Sequence, residues 1–139
     1  MYHIRTEAAF DSAHFLKGYK GKCSNLHGHR WRVTAEIKSD VLKTDTQTGG
    51  MVEDFGDIKH ALREICDGMD HTFIYEKGSL KPETLEALKN EEFHLTEVPY
   101  RPTAENLAKD IFDRLKDKGF NMARVEVYET PDNRATYGE

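Results

Sequence analysis

The sequence predicts a single α+β domain over residues 1–139, in which two helices cover one face of a four-stranded antiparallel sheet. Apolar and polar residues alternate in two segments near the start of the chain and in two near its end, which is typical of half-buried strands. Two segments between them repeat apolar residues every three to four positions, as amphipathic helices do. The order strand, strand, helix, helix, strand, strand gives this architecture, and 139 residues suffice for one core.

The four strands differ in how clearly they alternate. Residues 2–15 alternate weakly, which a bulge would explain. Residues 29–37 alternate strongly, and one face carries His29, Trp31, Val33, Ala35 and Ile37. We expect these two segments to pair antiparallel, with the stretch around Cys23 connecting them. The third strand spans residues 124–130, and the fourth spans residues 134–138 after a turn.

Each predicted helix has a capping residue before its apolar face. Asp54 precedes the first helix, whose apolar face is Ile58, Ala61, Leu62, Ile65 and Met69. Thr103 precedes the second helix, with Glu105 in the first turn, where the helix dipole favours a carboxylate. Its apolar face is Leu107, Ala108, Ile111, Phe112 and Leu115. Residues 75–100 mix turn signals with the hint of a short helix at Leu85 and Leu88, and their role is not readable from the sequence.

Composition excludes several functional classes. The net charge of -5 and the absence of long basic runs disfavour a nucleic-acid-binding surface. No apolar run reaches the roughly 18 residues of a membrane span, and the N-terminus lacks the apolar core of a signal peptide. We therefore expect a soluble, cytoplasmic protein. The two cysteines do not suggest a disulfide framework, and Cys66 is expected to pack in the core.

The stretch from Cys23 to His29, Cys-Ser-Asn-Leu-His-Gly-His, is the strongest functional signal in the chain. Residues two apart in extended backbone point to the same side, so His27 and His29 can face one point. Catalytic zinc commonly has three protein ligands and an open position, and His14, at the end of the first strand, is the best third ligand. Cys23 lies near enough to stand beside such a metal without binding it. The alternative is a polar His-Gly-His turn that leads into a strand.

Two more candidates lie at the ends of predicted elements. Asp70 and His71 follow the first helix directly, where loop residues often carry function. Glu129 shares its side of the third strand with Val125 and Val127, so its carboxylate should point toward the covered face. A salt-bridged structural role is the alternative for Glu129.

Five motifs in the same order resemble the 6-pyruvoyl-tetrahydropterin synthase family. They are Ala13-His14, Cys23-x-x-x-His27-Gly-His29, Asp70-His71, Pro102-Thr103-x-Glu105-Asn106 and Val127-Tyr-Glu129-Thr130. The three-residue gap between Cys23 and His27 is most similar to the bacterial branch, the 6-carboxy-5,6,7,8-tetrahydropterin synthases of queuosine (7-deazapurine) biosynthesis. Residues 75–98 are longer than the bacterial branch leads us to expect.

The resemblance implies a tunnelling fold, in which sheets of several subunits join into a barrel with active sites between subunits. It implies a Zn²⁺ cofactor on His14, His27 and His29. It also implies a catalytic set of four other residues: Cys23 as proton acceptor, His71 as its relay partner, Asp70 as the residue that orients His71, and Glu129, which would hold the substrate.

The implied substrate is 7,8-dihydroneopterin triphosphate. Glu129 would anchor its pterin ring, with Thr103 and Glu105 as weaker candidates whose alternative is a helix cap. The implied product is 6-carboxy-5,6,7,8-tetrahydropterin, formed with release of triphosphate and acetaldehyde by a carbon-carbon lyase. Two alternatives are a 6-pyruvoyl-tetrahydropterin synthase, which stops before side-chain cleavage, and a non-catalytic zinc module closed by Cys23. A plain globular domain with surface histidines is the third.

Overall fold

The structure is a computed structural model that describes residues 1–139, with six strands and three α-helices. Along the chain these are β1 (Tyr2–His14), β2 (His27–Ser39), α1 (Phe55–Met69), β3 (Thr72–Glu76), α2 (Pro82–Asn90), β4 (Leu95–Val98), α3 (Ala104–Asp117), β5 (Met122–Tyr128) and β6 (Arg134–Gly138). A single 3-10 turn, Lys22–Ser24, lies between β1 and β2. None of the helices is long and apolar enough to cross a membrane.

The sheet has six strands in the order β4-β3-β1-β2-β5-β6. The four predicted strands β1, β2, β5 and β6 pair antiparallel. The prediction of a purely antiparallel four-stranded sheet is wrong, because β3 and β4 extend the sheet from β1 by parallel pairing. These strands have only five and four residues, too few for a clear alternation. The helical hint in residues 75–100 is confirmed by α2, which has no buried residue.

The hairpin of β1 and β2 has one unbroken register from Tyr2 opposite Ser39 to His14 opposite His27. The bulge expected in β1 is therefore absent, and the irregularity of the sheet lies between Glu36 and Ile37, where β2 pairs with β5. This register brings the end of β1 beside the start of β2. As a result, two of the predicted metal ligands face each other across the hairpin.

The core lies between the sheet and the helices α1 and α3. Both helix caps are as predicted: the Asp54 side chain accepts from the backbone N–H of Gly56, and Thr103 Oγ1 accepts from the backbone N–H of Asn106 at 3.2 Å. All the apolar residues predicted for the two helices are buried, as is Cys66. The largest buried side chains of the sheet are Phe10 and Trp31, whose rings stack at a centroid distance of 6.0 Å.

The opposite face of the sheet carries a layer of ion pairs around Glu36, whose side chain is only 6% exposed. Its carboxylate accepts from Arg5 Nη2 at 2.9 Å and contacts His3 Nδ1 at 2.7 Å and Arg124 Nη2 at 3.4 Å. Burial alone would raise the pKa of Glu36, but the bonds from Arg5 and His3, with the charge of Arg124, hold that pKa below its ordinary value. This layer ties β1 to β2 and β5.

Candidate metal centre and active site

Three histidines converge where β1 ends and β2 begins. His14, His27 and His29 each offer a ring nitrogen, and these nitrogens all lie within 4.8 Å of one another. The three Nε2 atoms are buried and have no hydrogen-bond partner. Because an unsatisfied buried polar atom costs about 1 to 3 kcal/mol, three of them aimed at one point indicate a shared ligand. The predicted convergence of the three imidazoles is confirmed, and the cluster could hold a metal ion.

Backbone carbonyls orient two of the rings. His14 Nδ1 donates to the carbonyl oxygen of Pro102 at 2.8 Å, and His27 Nδ1 donates to that of Asn25 at 2.6 Å. Since a carbonyl oxygen only accepts, the proton of each neutral ring lies on Nδ1 and the lone pair on Nε2. Metal-binding histidines are commonly fixed in this way. Sequence reasoning missed Pro102 and Asn25, because a backbone carbonyl leaves no signal in the residue type.

The surroundings of His14 and His29 favour the neutral form of these two imidazoles. Burial lowers the pKa of His14 to about 4, although the bond to Pro102 acts in the opposite direction, and the charges of His27 and His29 lower it further. Burial also lowers the pKa of His29, against the opposing charge of Glu129. Neutral imidazole is the form that zinc binds. The chemistry of this donor set therefore fits a zinc ion.

Glu129 lies directly after β5, and its carboxylate points toward the histidines. Its Oε1 is 3.5 Å from both His14 Nε2 and His29 Nε2. No lysine or arginine lies within salt-bridge distance of this carboxylate, whose side chain is 31% exposed. If Glu129 has the alternative role of a salt-bridged structural residue, its partners are therefore these two histidines. Glu129 retains acceptor capacity toward a ligand beside the metal centre.

Cys23 belongs to the 3-10 turn between β1 and β2 and is half-buried. Its backbone carbonyl accepts from the N–H of Leu16 at 2.9 Å, which closes the connection into a compact loop. The thiol is not part of the converging group formed by the three histidines. The structure therefore leaves the Cys23 thiol outside the set of converging ligand atoms.

Asp70 and His71 form a dyad anchored on β1. Asp70 Oδ1 accepts from the backbone N–H of Asp11 at 2.8 Å, and Asp70 Oδ2 accepts from His71 Nδ1 at 3.0 Å. The backbone N–H of His71 donates to the carbonyl oxygen of Asp11 at 2.7 Å and holds His71 at a φ of +57°. The bonds from Asp11 and His71 keep the pKa of Asp70 below its usual range. The imidazole is 79% exposed and does not join the histidine cluster.

His71 borders two hollows of the surface. One, of about 500 Å³, also touches His29. The other, of about 270 Å³, is mainly apolar and has walls of Leu26, Phe73, Leu88, Phe93 and Leu95. Residues 75–98, whose role was not readable from the sequence, supply three of these walls: Leu88 from α2, Phe93 from the connection after it and Leu95 from β4.

The remaining candidates, Thr103 and Glu105, lie at the start of α3. Thr103 is the helix cap, as its alternative interpretation predicted, and Glu105 is exposed in the first turn. Neither belongs to the histidine cluster. Their segment nevertheless reaches the histidine cluster through the carbonyl of Pro102, the residue before Thr103.

Comparisons with known proteins identify the family of this chain. The family profile described as 6-pyruvoyl tetrahydropterin synthase matches residues 3–139. A 6-carboxy-5,6,7,8-tetrahydropterin synthase from Haemophilus influenzae is 40% identical to this chain, and the alignment covers 100% of both proteins. One from Synechocystis is 32% identical, over 99% of this chain and 93% of the relative.

Solved structures show the same fold. An uncharacterized protein from Wolinella succinogenes superposes with a TM-score of 0.77 at 23% identity, over 99% of this chain and 98% of the other. A Plasmodium vivax 6-pyruvoyltetrahydropterin synthase mutant superposes with a TM-score of 0.71 at 21% identity, over 99% and 97%. From the family profile and the curated relatives, the chain belongs to the 6-pyruvoyl tetrahydropterin synthase family of enzymes.

Proposed function

We propose that the protein is a zinc-dependent 6-carboxy-5,6,7,8-tetrahydropterin synthase of queuosine (7-deazapurine) biosynthesis. It would convert 7,8-dihydroneopterin triphosphate to 6-carboxy-5,6,7,8-tetrahydropterin and release triphosphate and acetaldehyde. The observation that carries the proposal is the set of three converging imidazoles with unpartnered Nε2 atoms. The curated relatives named for this activity support the choice of product.

Each residue of the proposed active site has a separate chemical role. Zinc held by His14, His27 and His29 would act as a Lewis acid that makes protons beside the substrate's side-chain oxygens more acidic. Cys23 accepts such a proton, because a thiol with an ordinary pKa of about 8.5 becomes a usable base beside a cation. His71 relays the proton, and Asp70 fixes the tautomer of His71.

Glu129 anchors the pterin. The ring presents a guanidine-like edge of N–H donors, and a carboxylate accepts two parallel bonds from such an edge. Glu129 is suited to this role because no surface cation neutralises it. Thr103 and Glu105 are secondary candidates, since Thr103 Oγ1 already accepts the capping bond but its hydroxyl can still donate.

We further propose a homo-oligomer with active sites between subunits. The edge strands β4 and β6 carry unpaired backbone groups, which can continue a sheet into a neighbouring copy. The exposed His71 is available to a site completed by such a copy. If Cys23 and His71 of different copies share one site, mixing inactive Cys23→Ala and His71→Ala subunits should restore part of the activity. No recovery in verified mixed oligomers would contradict shared sites.

The central experiment combines product analysis with metal analysis. Zinc-loaded protein is incubated with 7,8-dihydroneopterin triphosphate, and the products are identified by mass spectrometry. A pyruvoyl product without acetaldehyde would favour the 6-pyruvoyl-tetrahydropterin synthase alternative. No stoichiometric zinc would leave only the plain globular domain.

Cys23→Ala separates the enzyme from the structural zinc module. We expect zinc content to persist, because Cys23 lies outside the converging ligands, while kcat falls about a hundred- to ten-thousand-fold. Cys66→Ala is the matched control, since Cys66 is buried in the core away from this chemistry. Loss of zinc from Cys23→Ala alone would favour the structural module.

A further inference from the structure

The charges around the metal centre are distributed unevenly. The chain has a net charge of -5, yet no acidic residue occurs between Asp11 and Glu36. Five cations lie in this interval: Lys17, Lys20, Lys22, Arg30 and Arg32. The two arginines pair with carboxylates of β1. The three lysines are exposed and are absent from the ion pairs of the structure, so the segment that carries them has uncompensated positive charge.

The three lysines lie on residues 15–26, a loop held by internal contacts, which we call the cysteine loop because it contains Cys23. Besides the bond from Leu16 to Cys23, the N–H of Tyr19 donates to the Leu16 carbonyl at 3.2 Å. The Tyr19 ring packs on Gly21, where an added Cβ would lie 2.7 Å from the ring. Since these contacts fix the loop, its lysines are displayed at defined positions beside the cysteine.

Arg101 connects the cysteine loop to the metal centre. Its Nη2 donates to the Lys17 carbonyl at 3.1 Å, and its guanidinium lies 5.8 Å from the centroid of the Tyr19 ring. Its Nε is buried without a hydrogen-bond partner, and no carboxylate pairs with it. The next residue, Pro102, holds His14 through its carbonyl. A fourth uncompensated cation therefore supports the loop from the side of the histidines.

We propose that Lys17, Lys20 and Lys22, supported by Arg101, bind the triphosphate group of the substrate. The identity of the substrate rests on the proposed function, whereas the residues rest on the charge and geometry of the loop. Lysine ammonium groups bind phosphates as mobile point charges, and three of them on one loop suit a flexible polyanion. The same loop would then hold the leaving triphosphate and position Cys23 at the carbon chain that loses it.

Inorganic triphosphate tests the subsite directly. Its dissociation constant is measured by isothermal titration calorimetry on the zinc-loaded protein and on K17Q/K20Q/K22Q. The matched control, K59Q/K81Q/K118Q, makes the same change in net charge at exposed positions on or beside the helices. We expect Kd to rise at least about tenfold in the loop variant, equivalent to about 1.4 kcal/mol, and to change less than about twofold in the control.

Kinetics supply the second measurement. For 7,8-dihydroneopterin triphosphate, the loop variant should raise KM by a similar factor and leave zinc content unchanged, and its KM should depend less on ionic strength. Equal triphosphate affinity in the loop variant and the wild type would overturn the subsite, as would an equal loss in the control. If the wild type binds triphosphate through the lysines but does not turn over the pterin, the proposed function fails and the subsite stands. If the wild type turns over the pterin and the loop variant has an unchanged KM, the proposed function stands and the subsite fails.

Discussion

Replacing Asp70 with asparagine tests the proton relay with little change of shape. In the wild type, Asp70 Oδ1 accepts from the Asp11 backbone and Oδ2 accepts from His71 Nδ1. In Asp70→Asn, the amide oxygen of the new side chain would keep the first bond, and its NH₂ group would stand where Oδ2 was. Two donors cannot bond each other, so His71 must move its proton from Nδ1 to Nε2. Its Nε2 lone pair, which would receive the proton from Cys23, is then lost.

The expected effect is large on rate and small on stability. Losing one general acid-base partner lowers kcat by about a hundred- to ten-thousand-fold. The pair is substantially exposed, with 39% of the Asp70 side chain and 79% of the His71 side chain accessible, so it contributes little to folding. We expect Asp70→Asn to melt within about 3 °C of the wild type.

The assay measures kcat from product formation, with zinc content and the melting temperature of the same preparation. Asp70→Ala is the companion variant, because it also removes the acceptor of the Asp11 N–H. It should lose a similar amount of rate and melt lower than Asp70→Asn. A kcat within about threefold of wild type for a folded, zinc-loaded Asp70→Asn protein would refute the relay.

Three further predictions concern stability, thiol reactivity and the metal. Glu36→Gln should lower the free energy of unfolding by about 2 to 3 kcal/mol at pH 7, since it breaks a buried carboxylate's ion pairs with half-exposed cations. Because the folded pKa of Glu36 is depressed, this difference in unfolding free energy from the wild type should narrow in denaturant titrations as pH falls below about 4.5. A difference that stays constant with pH would contradict a depressed pKa for Glu36. Iodoacetamide should modify the half-buried Cys23 and spare Cys66, because burial raises the pKa of Cys66 to about 12. Peptide mass mapping would detect the modified cysteine, and equal labelling of both cysteines in the folded protein would contradict the expected difference in reactivity. Removing zinc with a chelator should lower the melting temperature, since a ligand at a free concentration of about 1,000 times its Kd stabilises the folded state by about 4 kcal/mol. A melting temperature that chelation does not change would contradict metal binding by the folded protein.

The part of the fold that is predictable from sequence is the part with strong periodicity. The alternation of residues 29–37 identified β2, and the apolar repeats from Ile58 and from Leu107 identified α1 and α3. β3 and β4 were missed because strands of five and four residues are too short to distinguish from turns. Parallel pairing with β1 also depends on distant segments of the chain, which no local pattern records.

The candidate site was likewise predictable from the sequence only in part. The spacing of His27 and His29 indicated two ligands, and the pairing of β1 with β2 added His14. The carbonyls that orient the rings belong to Asn25 and Pro102, whose side chains have no part in the contact. Arg101 offered a weak signal, a charged residue directly before the Pro-Thr cap of α3, but only the tertiary structure brings it against the cysteine loop.

The unbroken hairpin register restricts how this chain can vary in length. Side chains alternate between faces along a strand, so one residue inserted into β1 or β2 would turn a histidine from the covered face to the opposite one. The connecting loop has no such constraint, and lengthening it would leave the imidazoles in place while altering how far the thiol reaches. Among related sequences, we therefore expect insertions and deletions to be tolerated in that connection and excluded from both strands, so that the position of the thiol can evolve separately from the convergence of the histidines.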